Sequence, residues 1–246
     1  MDRPILTQPS PSRYTDPRPP GTSRSPQDPD PPPRDIAFLE RQDELRIYQQ
    51  LDLLDATFLK TSFERYNTYT ICTADDEACY FAKESSETKW RICFHQRPMR
   101  VEVKDNYGSV VMRLDRPWRC RASWLCCCHL QEMFIERPPG VVLATVNENW
   151  TCWRPEFDIS VSGQGGFLLR GAWSSCRCAS HNKFYVYDRS GEKVAVISKT
   201  YENCTARCAF LNDFKIEYLS SMSAQDKMLI FGAAFLVDFN YLELRV

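Results

Sequence analysis

Cys126-Cys127-Cys128-His129 sets three thiols and an imidazole side by side, directly after a stretch holding Arg113, Arg116, Arg119 and Arg121 with Trp118 and Trp124. Arginine near a membrane surface attracts anionic headgroups at about 1 kcal/mol each. Tryptophan favours the bilayer interface because its ring is apolar and its N–H is polar. Adjacent exposed thiols beside such a patch suit S-palmitoylation. One acyl chain holds marginally, whereas two or three with a basic patch anchor stably. Buried in a strand, Cys127 would point away from its neighbours, so the three could not share one core face. The pattern therefore predicts acylation at Cys126, Cys127 and Cys128. It also predicts an anionic-lipid interface made by Arg116, Trp118, Arg119, Arg121 and Trp124.

Two other chemistries use the same residue types. Cys126-x2-His129, Cys176-Arg177-Cys178 and Cys204-x3-Cys208 supply zinc ligands, but the chain has no CxxC pair, so the spacing matches structural zinc sites weakly. A nucleophilic Cys–His pair would have to draw on His95, His129 or His181, and nothing marks a base or an oxyanion hole. The chain reads as a protein without covalent catalysis.

The first 33 residues hold eleven of the 16 prolines, with four Arg balanced by four Asp. Such a stretch cannot bury enough apolar surface to offset its ordering entropy, which predicts a disordered, Pro-rich tail over residues 1–34. Within it Pro29, Pro32 and Arg34 form a PxxPxR, a ligand pattern for the aromatic grooves of SH3-type or WW-type partners; a solvated spacer is the alternative. Met1 to Gln8 contains no apolar h-region, so no secretory signal and reduced thiols are expected. Lys plus Arg number 31 against 32 Asp plus Glu, a net charge of −1. That balance argues against nucleic acid as the primary partner.

These groups need a scaffold, and residues 35–246 read as one. Val101 to Leu114 alternates around Asp105-Asn106-Tyr107-Gly108, and Phe184 to Ile197 alternates around Asp188-Arg189-Ser190-Gly191, so each reads as a β-hairpin. The two hairpins match at an offset of 83 residues, and Met133 and Ile135 fall on Ile216 and Tyr218 at that offset. A two-fold internal repeat within a single antiparallel β-barrel follows. The apolar run Met228 to Val237, opened by Ser223 and Asp226 as a capping box, predicts a helix over about 224–243. A helix apolar on all sides lies in a core or a membrane. Fifteen residues at ~1.5 Å each fall short of the ~30 Å hydrocarbon layer. Asp238 further opposes insertion, so a core helix is favoured over a single membrane span.

Taken in order, Tyr48-Gln49-Gln50-Leu51-x-Leu53-Leu54, Asp105-Asn106-x-Gly108, Arg116-Pro117-x-Arg119-Cys120, the Cys run, Leu130-Gln131-Glu132, Pro138-Pro139-Gly140, Ile197-Ser198-Lys199 and Gly232-Ala233-x-Phe235-Leu236-x-Asp238-Phe239 resemble the phospholipid scramblases. The resemblance implies a tubby-like closed barrel around the C-terminal helix and palmitoylation at the Cys run. It implies Ca²⁺-triggered, ATP-independent, bidirectional lipid movement at the cytoplasmic face of the plasma membrane. The family's acidic Ca²⁺ segment matches Leu211 to Tyr218, where Asp213 and Glu217, with Asp226 further on, are the candidate ligands. Ca²⁺ takes six to eight oxygens, and Lys215 puts a positive charge in this stretch. The competing reading is a lipidated, non-transporting adaptor that binds anionic lipid and SH3-type partners.

Overall fold

The computed structural model describes residues 35–50, 68–85, 98–119, 130–151, 154–161, 164–171, 183–199 and 213–242. A short 3-10 turn, Ile36–Arg41, precedes twelve strands. These are β1 Glu44–Gln50, β2 Thr68–Thr73, β3 Ala78–Ser85, β4 Met99–Asp105, β5 Val110–Arg116 and β6 Glu132–Arg137. The second six are β7 Val141–Asn149, β8 Glu156–Val161, β9 Gln164–Gly171, β10 Lys183–Tyr187, β11 Lys193–Lys199 and β12 Phe214–Tyr218. Each pairs antiparallel with the next, and β1 pairs with β12, Leu45 opposite Ile216, which closes the barrel. Closure leaves no strand edge for another chain to pair with.

The wall follows from the period-2 pattern. In β4 Val101 and Val103 are buried while Arg100 is exposed and Glu102 and Lys104 are partly so. In β6 Met133 and Ile135 point in and Glu132 and Glu136 point out. The outer face is thus charged and the inner face apolar, the reverse of a lipid-facing barrel, where a midplane Arg or Lys costs about 2–4 kcal/mol.

The internal repeat is present in detail. Asp105 N–H donates to Ser109 O (2.9 Å), Gly108 N–H to Asp105 O (3.1 Å), and Asp105 Oδ1 accepts from Tyr107 N and Ser109 N. The same bonds recur from Asp188 N–H to Glu192 O (2.9 Å), from Gly191 N–H to Asp188 O (3.1 Å), and from Ser190 N and Glu192 N to Asp188 Oδ1. Gly108 and Gly191 take φ of +84° and +82°, the left-handed region where a Cβ is costly. Strand register shifts at Val103/Lys104 and at Val186/Tyr187, again 83 residues apart. β4 and β10 stand halfway round the ring from each other.

The interior is filled by helix α1, Ala224–Val237, which continues as a π-helical turn over Asp238–Leu242. Ser223 caps it: its Oγ accepts from Asp226 N (3.1 Å) and donates to Asp226 Oδ2 (2.7 Å). Every residue from Lys227 to Phe239 is buried, so the uniformly apolar stretch is a barrel plug. No helix among the described residues is long and apolar enough to cross a membrane. At Gly232 the helix packs tightly on the wall, since a Cβ there would lie 2.8 Å from Ile135 Cδ1 and 3.1 Å from Leu114 Cδ2. Phe235 sits among the rings of Tyr69, Phe214 and Phe231 at centroid distances of 5.3, 5.9 and 5.5 Å.

Candidate functional site

Antiparallel order sends alternate connections to opposite ends of the barrel. One end carries short turns, 74–77, 106–109, 138–140, 162–163 and 188–192. The other carries the longer connections 51–67, 86–98, 117–131, 150–155, 172–182 and 200–213. The two described tryptophans, Trp118 and Trp150, both stand at this end.

At this end the inward positions of several strands turn from apolar to polar. The β3 alternation reaches Glu84 (1% exposed), that of β5 passes Met112 and Leu114 to Arg116 (2%), and that of β7 passes Ala144 and Val146 to Glu148. Gln131, just before β6, is equally buried. The guanidinium of Arg116 donates from Nε and Nη2 to Gln131 Oε1 at 3.0 and 2.6 Å, and from Nη2 to Asn240 Oδ1 at 3.0 Å. Gln131 N–H donates to Glu148 Oε2 (3.0 Å), and Glu148 N–H donates to Gln131 O (2.8 Å). This collar of bonded polar groups from β5, β6 and β7 meets the end of α1 at Asn240, just past the helix C-cap Asp238, whose N–H donates to Ala234 O and Phe235 O. A buried charge is tolerable only with such partners.

Arg116 thus does not belong to the surface patch predicted for it. Its side chain is an interior one, and a headgroup cannot reach it. Trp118, two residues on, is 47% exposed at the rim. Arg119 is partly exposed and ion-paired to Glu132, with Nη1 donating to Leu130 O at 3.3 Å. Arg121, Trp124, Cys126, Cys127 and Cys128 lie outside the described residues, as do Pro29, Pro32 and Arg34. The period-2 run Met112-Leu114-Arg116 is the signal that would have assigned Arg116 to the interior. Trp150, 56% exposed after β7, is a rim residue that the sequence reading passed over.

The three candidate Ca²⁺ ligands are not brought together. Asp213 precedes β12 and accepts from Gln49 N–H through Oδ1 (3.1 Å). Glu217, four residues later near the other end of that strand, is paired with Lys215 at 2.7 Å. Four strand steps are about 13 Å, against Ca²⁺–oxygen bonds of about 2.4 Å. Asp226 is engaged in the helix cap. No group of three His, Cys, Asp or Glu among the described residues could hold a metal. As a set, Asp213, Glu217 and Asp226 do not fit the ion.

At the turn end, Lys227 of α1 is 2% exposed; its ammonium donates to Glu40 O (2.9 Å) and Gln42 O (2.6 Å) and stands 5.1 Å from the Tyr218 ring. Burial lowers its pKa. The described thiols, Cys72 and Cys79, are buried, and desolvation pushes Cys72 up to about 11, so it is a small core group.

Residues 23–244 match the family model described as Scramblase. Among similar proteins, phospholipid scramblase 1 of Mus musculus is 32% identical, over 98% of this chain and 73% of that protein. Phospholipid scramblase 1 of Homo sapiens is 32% identical, over 87% of this chain and 69% of its own length. Phospholipid scramblase family member 5 of Homo sapiens is 31% identical, over 86% and 78% respectively. No solved structure matches the chain.

Proposed function

The chain belongs to the scramblase family, and from that premise we propose that it moves phospholipids between membrane leaflets, bidirectionally and without ATP or covalent chemistry, from the cytoplasmic face of the plasma membrane. The family match over residues 23–244 carries this reading, because it spans the barrel and the plug together. In this proposal Cys126, Cys127 and Cys128 are acylated and hold the barrel at the surface. The tail offers Pro29, Pro32 and Arg34 to an SH3-type partner.

The barrel constrains the route. Its bore is filled by α1 and its outer wall is charged, so a headgroup does not travel through the bore. Lipid movement then depends on what the barrel does to the bilayer it rests on, by oligomerising or by thinning the ~30 Å hydrocarbon layer locally. Ca²⁺ linkage stays within the proposal as a property to be measured, with no step assigned to Asp213, Glu217 and Asp226. The filled bore also favours one rival, a lipidated adaptor that binds membrane and moves no lipid.

Reconstitution of the full chain into vesicles holding a fluorescent phospholipid separates the two. Protein-dependent exposure of inner-leaflet lipid, without ATP, is expected, and its rate with and without Ca²⁺ measures the linkage. Absence of flipping in both conditions leaves the adaptor. In cells, the triple change of Cys126, Cys127 and Cys128 to Ser should shift the protein to the soluble fraction; unchanged fractionation would refute the acyl anchor.

A further inference from the structure

We propose that the rim where β5 and β7 end docks on an anionic phospholipid bilayer, with Trp118 and Trp150 entering the headgroup region as a pair. The inference rests on the membrane reading above and deepens it, naming the face and a residue that reading did not include.

Trp118 and Trp150 are 47% and 56% exposed, unusual for the largest side chain in the repertoire. Both stand at the rim of the same end, because β5 and β7 both border β6. Two inter-strand spacings separate their strands, about 10 Å. Each tryptophan lies two residues beyond a buried inward side chain, Arg116 in one case and Glu148 in the other. The collar that ties Arg116 to Gln131, and Gln131 to Glu148, therefore gives the two rings a common, fixed base. Between them Arg119 and Glu132 neutralise each other in an ion pair.

The opposite end is unsuited to the same surface. Exposed there are Asp35, Glu40, Asp43, Asp75, Asp76, Glu77 and Glu192 against Arg41, Arg137, Arg189 and Lys193, a net acidic balance that an anionic leaflet would repel. Its exposed apolar groups, Tyr107, Val141, Val142 and Leu219, include no tryptophan. Indole favours the interface through its N–H and its ring together, which aliphatic side chains cannot do. Aromatic placement and charge thus orient the barrel the same way.

The test uses the full chain with Cys126, Cys127 and Cys128 changed to Ser, so that no acyl chain contributes. Vesicles are phosphatidylcholine with about one-fifth phosphatidylserine, the anionic component to which the surface responds. Trp118→Ala and Trp150→Ala should each lower vesicle co-sedimentation severalfold, and together by on the order of tenfold or more. Circular dichroism should show the fold unchanged, and the turn-end pair Tyr107→Ala with Leu219→Ala should sediment like the parent. Parental binding by the double tryptophan variant, or loss confined to the turn-end pair, would overturn the proposal; a protein-binding role for the rim would give the first of these results. Failure of the unaltered chain to flip lipid, with tryptophan-dependent binding intact, would refute the scramblase reading and leave the docking face standing.

Discussion

A guanidinium that is 2% exposed must direct its N–H groups at protein acceptors, and Arg116 does so toward Gln131 and Asn240. One residue thereby joins β5, the entry to β6 and the end of α1. Lysine carries the charge without the planar fork, so Arg116→Lys loses part of this geometry and Arg116→Leu loses all of it. Leucine also leaves Gln131 and Asn240 buried without their partner. Arg116→Leu should lower unfolding free energy by on the order of 3 kcal/mol, seen as a lower urea midpoint, with Arg116→Lys in between. Proximity in sequence grouped Arg116 with Arg119 and Arg121, whereas the alternation inherited from Met112 and Leu114 decides its side. Glu148 reads the same way, as the polar continuation of Ala144 and Val146. Which polar residues such inward positions meet is set by long-range packing, and that part of the site was not legible.

Among the elements, α1 shows what a uniformly apolar helix means once its container is known. Length and Asp238 already disfavoured a membrane span, and the twelve strands supply the surrounding core. Gly232 is where the helix and the β5–β6 wall touch, so Gly232→Leu forces extra methylenes against Ile135 and Leu114. Overpacking of this kind costs about 1–3 kcal/mol; a thermal melt should show it, and a companion Ile135→Ala should recover part of the loss. The hairpin turns were legible outright, because Asp at the first position and Gly three later satisfy the same four backbone and side-chain bonds in both copies. In the second copy the Ser190 hydroxyl, followed by the Glu192 N–H, holds the Asp188 carboxyl below its usual range. Asp213 and Glu217 stand four residues apart along an extended segment, which spreads them apart instead of gathering them around one ion.

At the scale of the molecule, the two-fold repeat was visible as an offset of 83 residues, and the ring places those copies on opposite sides. What composition hid is the polarity between the two ends, since a net charge of −1 averages an acidic turn end with a tryptophan-bearing rim. The plug is indispensable to the whole. Burying one large apolar side chain is worth about 1.5–3 kcal/mol, and α1 buries Met228, Leu229, Ile230, Phe231, Phe235 and Leu236 among others. For these six the sum, about 9–18 kcal/mol, matches the whole 5–15 kcal/mol stability of a typical domain. A chain ending after Ser220 should therefore show no cooperative melting transition and should bind a hydrophobic dye; a sharp transition in calorimetry would contradict this.

The seam that closes the barrel pairs Glu44 with Glu217 and Leu45 with Ile216, partners about 170 residues apart in the order of synthesis, and the plug is made later still. Loops of that span close slowly. A nascent chain leaving the ribosome thus carries a growing, incurved sheet whose apolar concave side stays uncovered until residues 224–242 emerge, and such exposed apolar surface is prone to aggregate.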